Sequence, residues 1–598
     1  MLAGCGAAVT YLLPSTDVAG PITRRILMRA EKVVGLAFTD REREQMLDGL
    51  NELLEDYEAI RKTPLASSVP PAVQFNPAPP GLTIEGGARM SARNPRIETR
   101  AAASARGESE PRPAREESTP AGVKPPTGGM KPRPRETTPP PVPADLDDLA
   151  FLPVTRLAAL IKSRRITSVE LTRMYLDRLK RLDPQLKCVI TLTEELALEQ
   201  AARADREIAS GKYRGPLHGI PWGAKDLLST RGIRTTWGAM PYKDQVPDED
   251  ATVVKRLEEA GAVLVAKLSL GALAWGDVWF GGRTNNPWNL EQGSSGSSAG
   301  PAAATAAGLV GFSIGSETWG SIVSPATRCG VTGLRPTYGR VSRHGAMALS
   351  WTMDKLGPMC RTVEDCALVL EAIYGPDGKD ATVVDAPFAW DADLDATSLR
   401  VGYVRSLFEA PLEEGEDEEM RAHDLATLET LRGLGIEPIP IELPDLPVDA
   451  LGLILTAEAG AAFDDLTRSG RDDLLVRQIE NAWPNVLRQS RMIPAVEYIQ
   501  ANRIRTLVMR RMSEIMKEID VYVAPSFGGN NLLLTNLTGH PAVVLPNGFR
   551  KDGTPTSITF VGRLFGEAKL LALAMAYQDA TTFHLKHPSL EAVGAQSG

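Results

Sequence analysis

Cysteine is scarce in this 598-residue chain, which has only Cys5, Cys188, Cys329, Cys360 and Cys366, none of them in a CxxC pair. That spacing excludes a disulfide scaffold or a thiolate zinc site and leaves free, mostly buried thiols as the expectation. Positive charge is outnumbered, with 66 lysines and arginines against 75 acids and a formal net charge of -9. A chain that lives on nucleic-acid phosphates carries the opposite sign, so direct nucleic-acid binding is not expected. The apolar stretch from Leu2 to Leu13 is too short to cross a bilayer, which takes roughly 18 residues or more. The phosphate-cradling pattern GxxxxGK[ST] is absent. Aromatic residues make up 6% of the chain, and none lies between Asn76 and Ala150.

What is present describes a folded, water-soluble body: 43% hydrophobic and 24% charged residues, with a mean hydropathy of -0.14. Pro111 to Pro143 holds 11 prolines in 33 residues, and such a segment buries too little surface to offset its chain entropy. The chain therefore divides into a helical extension (1–82), a Pro/Arg-rich tether (83–145) and a main body (146–598). Leu2-Ala3-Gly4-Cys5 has the shape of a lipobox, so residues 1–13 read as the remnant of an export signal if translation starts upstream. Export or a lipid anchor at Cys5 is then the expectation; otherwise the cytoplasm is. A capping box, Thr39 with Glu42, opens a helix that repeats Met46, Leu50, Leu53, Leu54, Tyr57 and Ile60 at helical spacing. Deleting Met1 to Leu146 is expected to leave a folded body.

The main body opens on a second capping box, Thr167 with Glu170, followed by Leu171, Met174, Tyr175, Leu179 and Leu182 along one face. Apolar strand candidates then alternate with helical patterns: Ala262 to Ala266, Leu309 to Ile314, Leu399 to Val404, Val521 to Ala524, Ala542 to Leu545 and Ser557 to Val561. This alternation predicts an α/β fold with helices packed on a central sheet. The stretch from Glu414 to Ile519 reads as a mostly helical elaboration.

The most unusual stretch, Gly293 to Ser321, reads GSSGSSAGPAAATAAGLVGFSIGSETWGS. A Gly/Ser run is commonly a linker, but here an Ala-rich helix pattern and an apolar strand follow at once, which puts it inside the folded body. Gly311 to Gly315 matches the GxSxG elbow of α/β-hydrolases, with Ser313 as nucleophile and six histidines as candidate bases. The elbow needs a strand before its serine and a helix after it, and here the strand runs through Ser313.

Several separated blocks resemble the amidase signature hydrolases: GIPWGAKD (Gly219 to Asp226), TNNPW (Thr284 to Trp288), the Ser/Gly block, CGVTGLRPTYGRVSR (Cys329 to Arg343) and TNLTGHPAVVLPNG (Thr535 to Gly548). The resemblance covers roughly Phe151 to Leu590. It implies a large mixed β-sheet sandwiched between helices and a Ser-cisSer-Lys triad: Ser321 as nucleophile, Ser297 behind a cis bond as bridge, Lys225 as base. It also implies a backbone oxyanion hole at Thr318, Trp319, Gly320 and Ser321, where each donor is worth about 3 to 4 kcal/mol. Neither a metal nor an organic cofactor is implied.

A serine hydroxyl is a weak nucleophile until a neighbour takes its proton, so Lys225 must act as a neutral amine. Bringing a lysine from its ordinary pKa to near neutrality takes about 4 kcal/mol of desolvation, for which the flank Ile220 to Ala224 is suited. The competing expectation for Lys225 is an ion pair with adjacent Asp226. Where the family often has glycine, this chain has Trp319; where many members carry arginine, it has Val323; Pro301 interrupts the small-residue run. Trp319 implies a narrower or aromatic-lined pocket, and the departures together bear on substrate identity more than on catalysis; Trp351 and Met353 are candidate pocket contributors, with ordinary core packing as the competing expectation.

The implied function is hydrolysis of a carboxamide C–N bond through a serine acyl-enzyme by a stand-alone amidase. The alternative is the glutaminase (A-type) subunit of a tRNA-dependent amidotransferase; a reading of another class is a non-catalytic ligand-binding protein on the same fold. The expected partner is a small-molecule amide, with no transmembrane span, and a homodimer stays open.

Overall fold

Both capping boxes form. Thr39 Oγ1 accepts from the Glu42 N–H at 3.3 Å, and Thr167 Oγ1 accepts from the Glu170 N–H at 3.1 Å, each glutamate answering the threonine backbone. The helices they start are Asp40–Lys62 and Ser168–Leu186, and each turns its repeated apolar residues inward. The computed structural model describes residues 21–66, 68–73, 141–411 and 417–590. The export-signal remnant at 1–13 with Cys5, and the tether up to residue 140, lie outside the described residues.

Among the described residues, eleven strands form one mixed sheet. In chain order they are β1 (Val189–Leu192), β2 (Pro221–Lys225), β3 (Val263–Leu268), β4 (Phe312–Glu317), β5 (Thr332–Arg335), β6 (Lys355–Cys360), β7 (Val401–Val404), β8 (Ile439–Ile441), β9 (Val521–Pro525), β10 (Ala542–Phe549) and β11 (Pro555–Gly562). Across the sheet they run β1-β3-β2-β4-β6-β5-β10-β11-β9-β7-β8. β2 is parallel to both β3 and β4, whereas β4, β6, β5, β10, β11 and β9 pair antiparallel in succession. Pro221 to Ala224, β3 and β4 are buried on both faces, as a covered parallel core requires. Within it Trp222 and Phe312 are register partners whose rings stack 6.0 Å apart.

The helices used below are α1 (Arg24–Val34), α2 (Asp40–Lys62), α3 (Ser168–Leu186), α4 (Ala299–Ala306), α5 (Val323–Cys329), α6 (Leu453–Ala462), α7 (Trp483–Ser490), α8 (Ala495–Glu518) and α9 (Asn531–Thr538). The stretch expected to be a helical elaboration carries α6, α7 and α8, and also contributes β8 to the sheet edge.

The N-terminal helix does not stand apart from the body. Met46, Leu50, Leu53, Tyr57 and Ile60 of α2 belong to the same buried cluster as the sheet residues Val521, Val523 and Phe560. Gln489 of α7 donates to the Met46 carbonyl at 3.3 Å, Arg61 pairs with Glu497 of α8 at 2.6 Å, and Arg488 pairs with Glu42 at 2.8 Å. Burying five such side chains is worth on the order of 10 kcal/mol as an upper bound. The apolar stripe on α2 is covered by the 483–518 helices, so the extension shares the core of the body that was expected to fold without residues 1–146.

Candidate functional site

Because β2 and β4 are parallel neighbours, their C-terminal ends open at the same edge of the sheet, where ligand sites of such sheets form. Lys225 is the last residue of β2, and the turn that follows Glu317 at the end of β4 carries Thr318 to Ser321. Ser297 precedes α4, the helix that leads back into β4. The peptide bond between Gly296 and Ser297 is cis, and a Cβ on Gly296 would lie 1.9 Å from the Gly276 carbonyl oxygen, so only glycine fits before that serine.

Lys225 Nζ lies 2.8 Å from Ser297 Oγ, 3.0 Å from Ser298 Oγ and 2.8 Å from Ser316 Oγ. Ser298 donates its own hydroxyl proton to the Ser316 carbonyl at 3.0 Å, so toward Lys225 it is an acceptor. No carboxylate pairs with Lys225 among the described residues. Asp226 instead faces Lys267 at 3.2 Å and accepts from the Thr236 N–H and hydroxyl at 2.7 and 2.6 Å. Burial pushes the Lys225 ammonium well below its ordinary pKa, only partly opposed by the fields of Asp354 and Glu317. Exposure rises outward: Lys225 is 0% exposed, Ser297 1% and Ser321 8%. The amine is dry, and the outer serine touches solvent.

The turn bearing Ser321 is clamped from several sides. The Ser298 N–H donates to the Ser321 carbonyl at 3.1 Å. Glu317 Oε2 accepts from the N–H groups of Ile322 and Val323 at 2.8 and 2.9 Å, while its Oε1 accepts from Arg335 at 2.7 Å and Asn536 at 2.8 Å. Burial alone would raise the Glu317 carboxyl, but Arg335, Lys355 and the backbone donors carry it down to about 2. Thr318 Oγ1 donates to Asp354 at 2.5 Å, and burial holds the Asp354 carboxyl above its usual range. Gly320 sits at φ +83°, a conformation few other residues adopt. Among the described residues, the N–H groups of Trp319, Gly320 and Ser321 have no acceptor.

Two cavities reach this turn. Trp319 lines one of about 450 Å³; Thr318 and Ser316 line another of about 470 Å³, with Trp351 and Arg343. Trp351, a candidate pocket residue, is half-exposed and lines the second cavity. Met353 does not: it is fully buried in the hydrophobic core and lines neither cavity. Ser313 donates to the Pro301 carbonyl at 3.0 Å and lies 2.9 Å from Thr305 Oγ1, inside the sheet, which gives it no exposed elbow. Cys188, Cys329, Cys360 and Cys366 are free and buried. One acidic trio, Glu42, Asp472 and Asp473, surrounds the Arg488 guanidinium rather than open space.

Sequence reasoning missed Ser298, Ser316, Glu317, Arg335, Asp354 and Asn536. Several of these stand within the motif blocks, yet nothing local distinguishes a buried acceptor from a solvated one.

A family model described as Amidase matches residues 170–535. The A-type subunit of a glutamyl-tRNA(Gln) amidotransferase from Marinomonas sp. is 35% identical over 483 residues, 73% of this chain and 98% of that relative. Its namesake from Roseiflexus sp. is 38% identical over 470 residues, 71% of this chain and 95% of its own. Among solved structures, native peptide amidase from Stenotrophomonas maltophilia superposes with a TM-score of 0.64 at 30% identity, covering 73% of this chain and 98% of that one. An amidase family protein from Bacillus anthracis gives a TM-score of 0.66 at 27% identity, covering 74% and 94%. No helix among the described residues is long and apolar enough to cross a membrane. With blocks in family order, an eleven-stranded sheet of the family's form and near-complete coverage of its relatives, the chain belongs to the amidase family and is an enzyme that hydrolyses amide C–N bonds.

Proposed function

We propose that Ser321 attacks the substrate carbonyl while Ser297 and Lys225 relay its proton. The observation that carries this reading is the dry amine of Lys225, 2.8 Å from the Ser297 hydroxyl and without a carboxylate partner. In the forward step Ser321 Oγ gives its proton to Ser297 Oγ as Ser297 passes its own proton to the lone pair of Lys225. The Ser321 oxygen bonds to the carbonyl carbon, and the electron pair displaced onto the carbonyl oxygen is held by the N–H groups of Thr318 to Ser321. Collapse breaks the C–N bond, and the proton on Lys225 returns through Ser297 to the departing nitrogen. Water then cleaves the Ser321 ester by the same relay, releasing a carboxylate. These steps use this chain's side chains, its backbone N–H groups and water.

A second reading concerns the setting of that reaction and is the one the sequence relatives favour. They are named as the A-type subunit of glutamyl-tRNA(Gln) amidotransferase and are matched over 95 to 98% of their length. On that reading the amide is glutamine and further subunits receive the ammonia. Trp319 beside Ser321 and the α2 helix over its cavity support the stand-alone form instead. The purified chain, assayed with glutamine, simple primary amides and peptide amides, separates them. Turnover of non-glutamine amides by the lone chain supports the stand-alone amidase; glutamine turnover only with co-purifying subunits supports the amidotransferase. Labelling by a serine-reactive phosphonate at any residue other than Ser321 would sink both.

A further inference from the structure

The cavity that Trp319 lines is walled on one side by α2, which lies outside the residues matched by the family model. Carboxylates ring it: Asp48, Glu52 and Asp56 from α2, with Asp449 and Glu480 from the helical elaboration. Asp48, Asp449 and Glu480 stand at the exposed rim, and Glu52 and Asp56 are half-buried. Among the described residues no lysine, arginine or histidine lines this space. An independent feature points the same way. Asn485 is 2% exposed and lines the cavity, and its Nδ2 donates to the Gln45 and Glu480 carbonyls at 2.8 and 3.0 Å. Its Oδ1 has no partner among the described residues. A buried acceptor of this kind calls for a donor from whatever fills the space. Trp319 and Phe527 complete the lining with aromatic surface, which attracts cations as well as apolar groups.

We infer that this cavity receives a cationic end, an ammonium or guanidinium group, of the amide that Ser321 cleaves. The inference rests on the acyl-enzyme reading above and adds the substrate's charge to it. A donor-rich cation satisfies Asn485 Oδ1 and sits against Asp56, while the rim acids raise its local concentration. The discrimination belongs to α2 rather than to the catalytic strands, so it need not be shared by relatives that lack such a helix.

The test uses the full-length chain and two serine-reactive phosphonates of the same shape, one ending in a primary ammonium and the other in a methyl group. Labelling rates are followed by intact mass, and the labelled residue is located by peptide mapping. The ammonium probe is expected to label Ser321 at least about tenfold faster at low ionic strength. The gap should narrow in about 1 M salt, where exposed charges are screened. Asp56→Asn and Glu480→Gln should each shrink the rate ratio, and Asp56→Glu should keep it. Equal labelling, or faster labelling by the methyl probe, overturns the cationic site and leaves the acyl-enzyme reading standing. An undiminished ratio in Asp56→Asn and Glu480→Gln proteins that melt like the parent also overturns it. Failure of both probes at Ser321 removes the acyl-enzyme reading and this inference with it.

Discussion

Asp226, the residue that follows Lys225, faces Lys267 at 3.2 Å instead of its own neighbour. Along a strand, successive side chains point to opposite faces, so adjacency in sequence is separation in space. One lysine is thereby kept next to a carboxylate while the other is left among hydroxyls, and the difference decides which of them can lose its proton.

Activity should follow that proton. The Lys225 pKa lies well below its ordinary value because of burial, and kcat/KM is expected to rise as pH climbs through the lowered value. Stability carries the same sign. The unfolded chain holds a proton that the folded one releases, so unfolding free energy increases with pH between the lowered value and the ordinary 10.5. Lys225→Met should abolish hydrolysis and flatten this part of the pH–stability curve, as read by denaturant melts across pH.

Ser321→Ala should remove turnover of every accepted amide together with the phosphonate label. Ser297→Ala should lower kcat by roughly 10² to 10⁴, the usual worth of positioned proton transfer. Single-turnover mass spectrometry checks both, and an acyl-enzyme on Ser321→Ala would refute the assignment.

Glu317 makes a structural prediction distinct from these. Its carboxyl is held at about 2 against an ordinary 4.5, so it contributes stability above pH 4.5 that is lost as pH falls toward 2. Glu317→Gln strands the buried Arg335 guanidinium and is expected to cost about 3 to 5 kcal/mol. Urea titration at neutral pH measures it.

For α2, Leu50→Ala is expected to cost about 2 to 5 kcal/mol in global stability, because Leu50 is part of the common core. Removing residues 1–62 should lower the melting temperature or cause aggregation. An unchanged cooperative melt of the shortened protein would count against the shared core.

Ser313→Ala provides a control. Its hydroxyl is spent on buried neighbours, the Pro301 carbonyl, Thr305 Oγ1 and, at 3.5 Å, the Met359 carbonyl, so the change should cost about 1 kcal/mol and leave turnover intact.

Much of this could be read from the chain, and the misses have physical reasons. The capping boxes at Thr39 and Thr167 place their own helices because a cap is a local hydrogen-bond pattern. The six apolar runs expected as strands all fall in the central sheet, within a few residues of the observed ends. Five strands were not among those expected: Pro221–Lys225, Thr332–Arg335, Lys355–Cys360 and Ile439–Ile441 each contain glycine or proline, which weakens strand propensity, and Val189–Leu192 is a run of only four residues between two helices. Lys225, Ser297 and Ser321 were legible only through the motif blocks. That Lys225 and Ser297 meet at 2.8 Å depends on the parallel pairing of β2 and β4, which no window of sequence contains. The place of α2 against α7 and α8 was not legible either, because its partners lie more than 400 residues downstream.

That distant partnership changes what would be learned from a trimmed protein. A version beginning at residue 146 would keep the strands and serines but lose Asp48, Glu52 and Asp56, and with them one wall of the chamber beside Trp319. If the proposed cationic site holds, a selectivity profile recorded on such a version would lack the contribution of that wall.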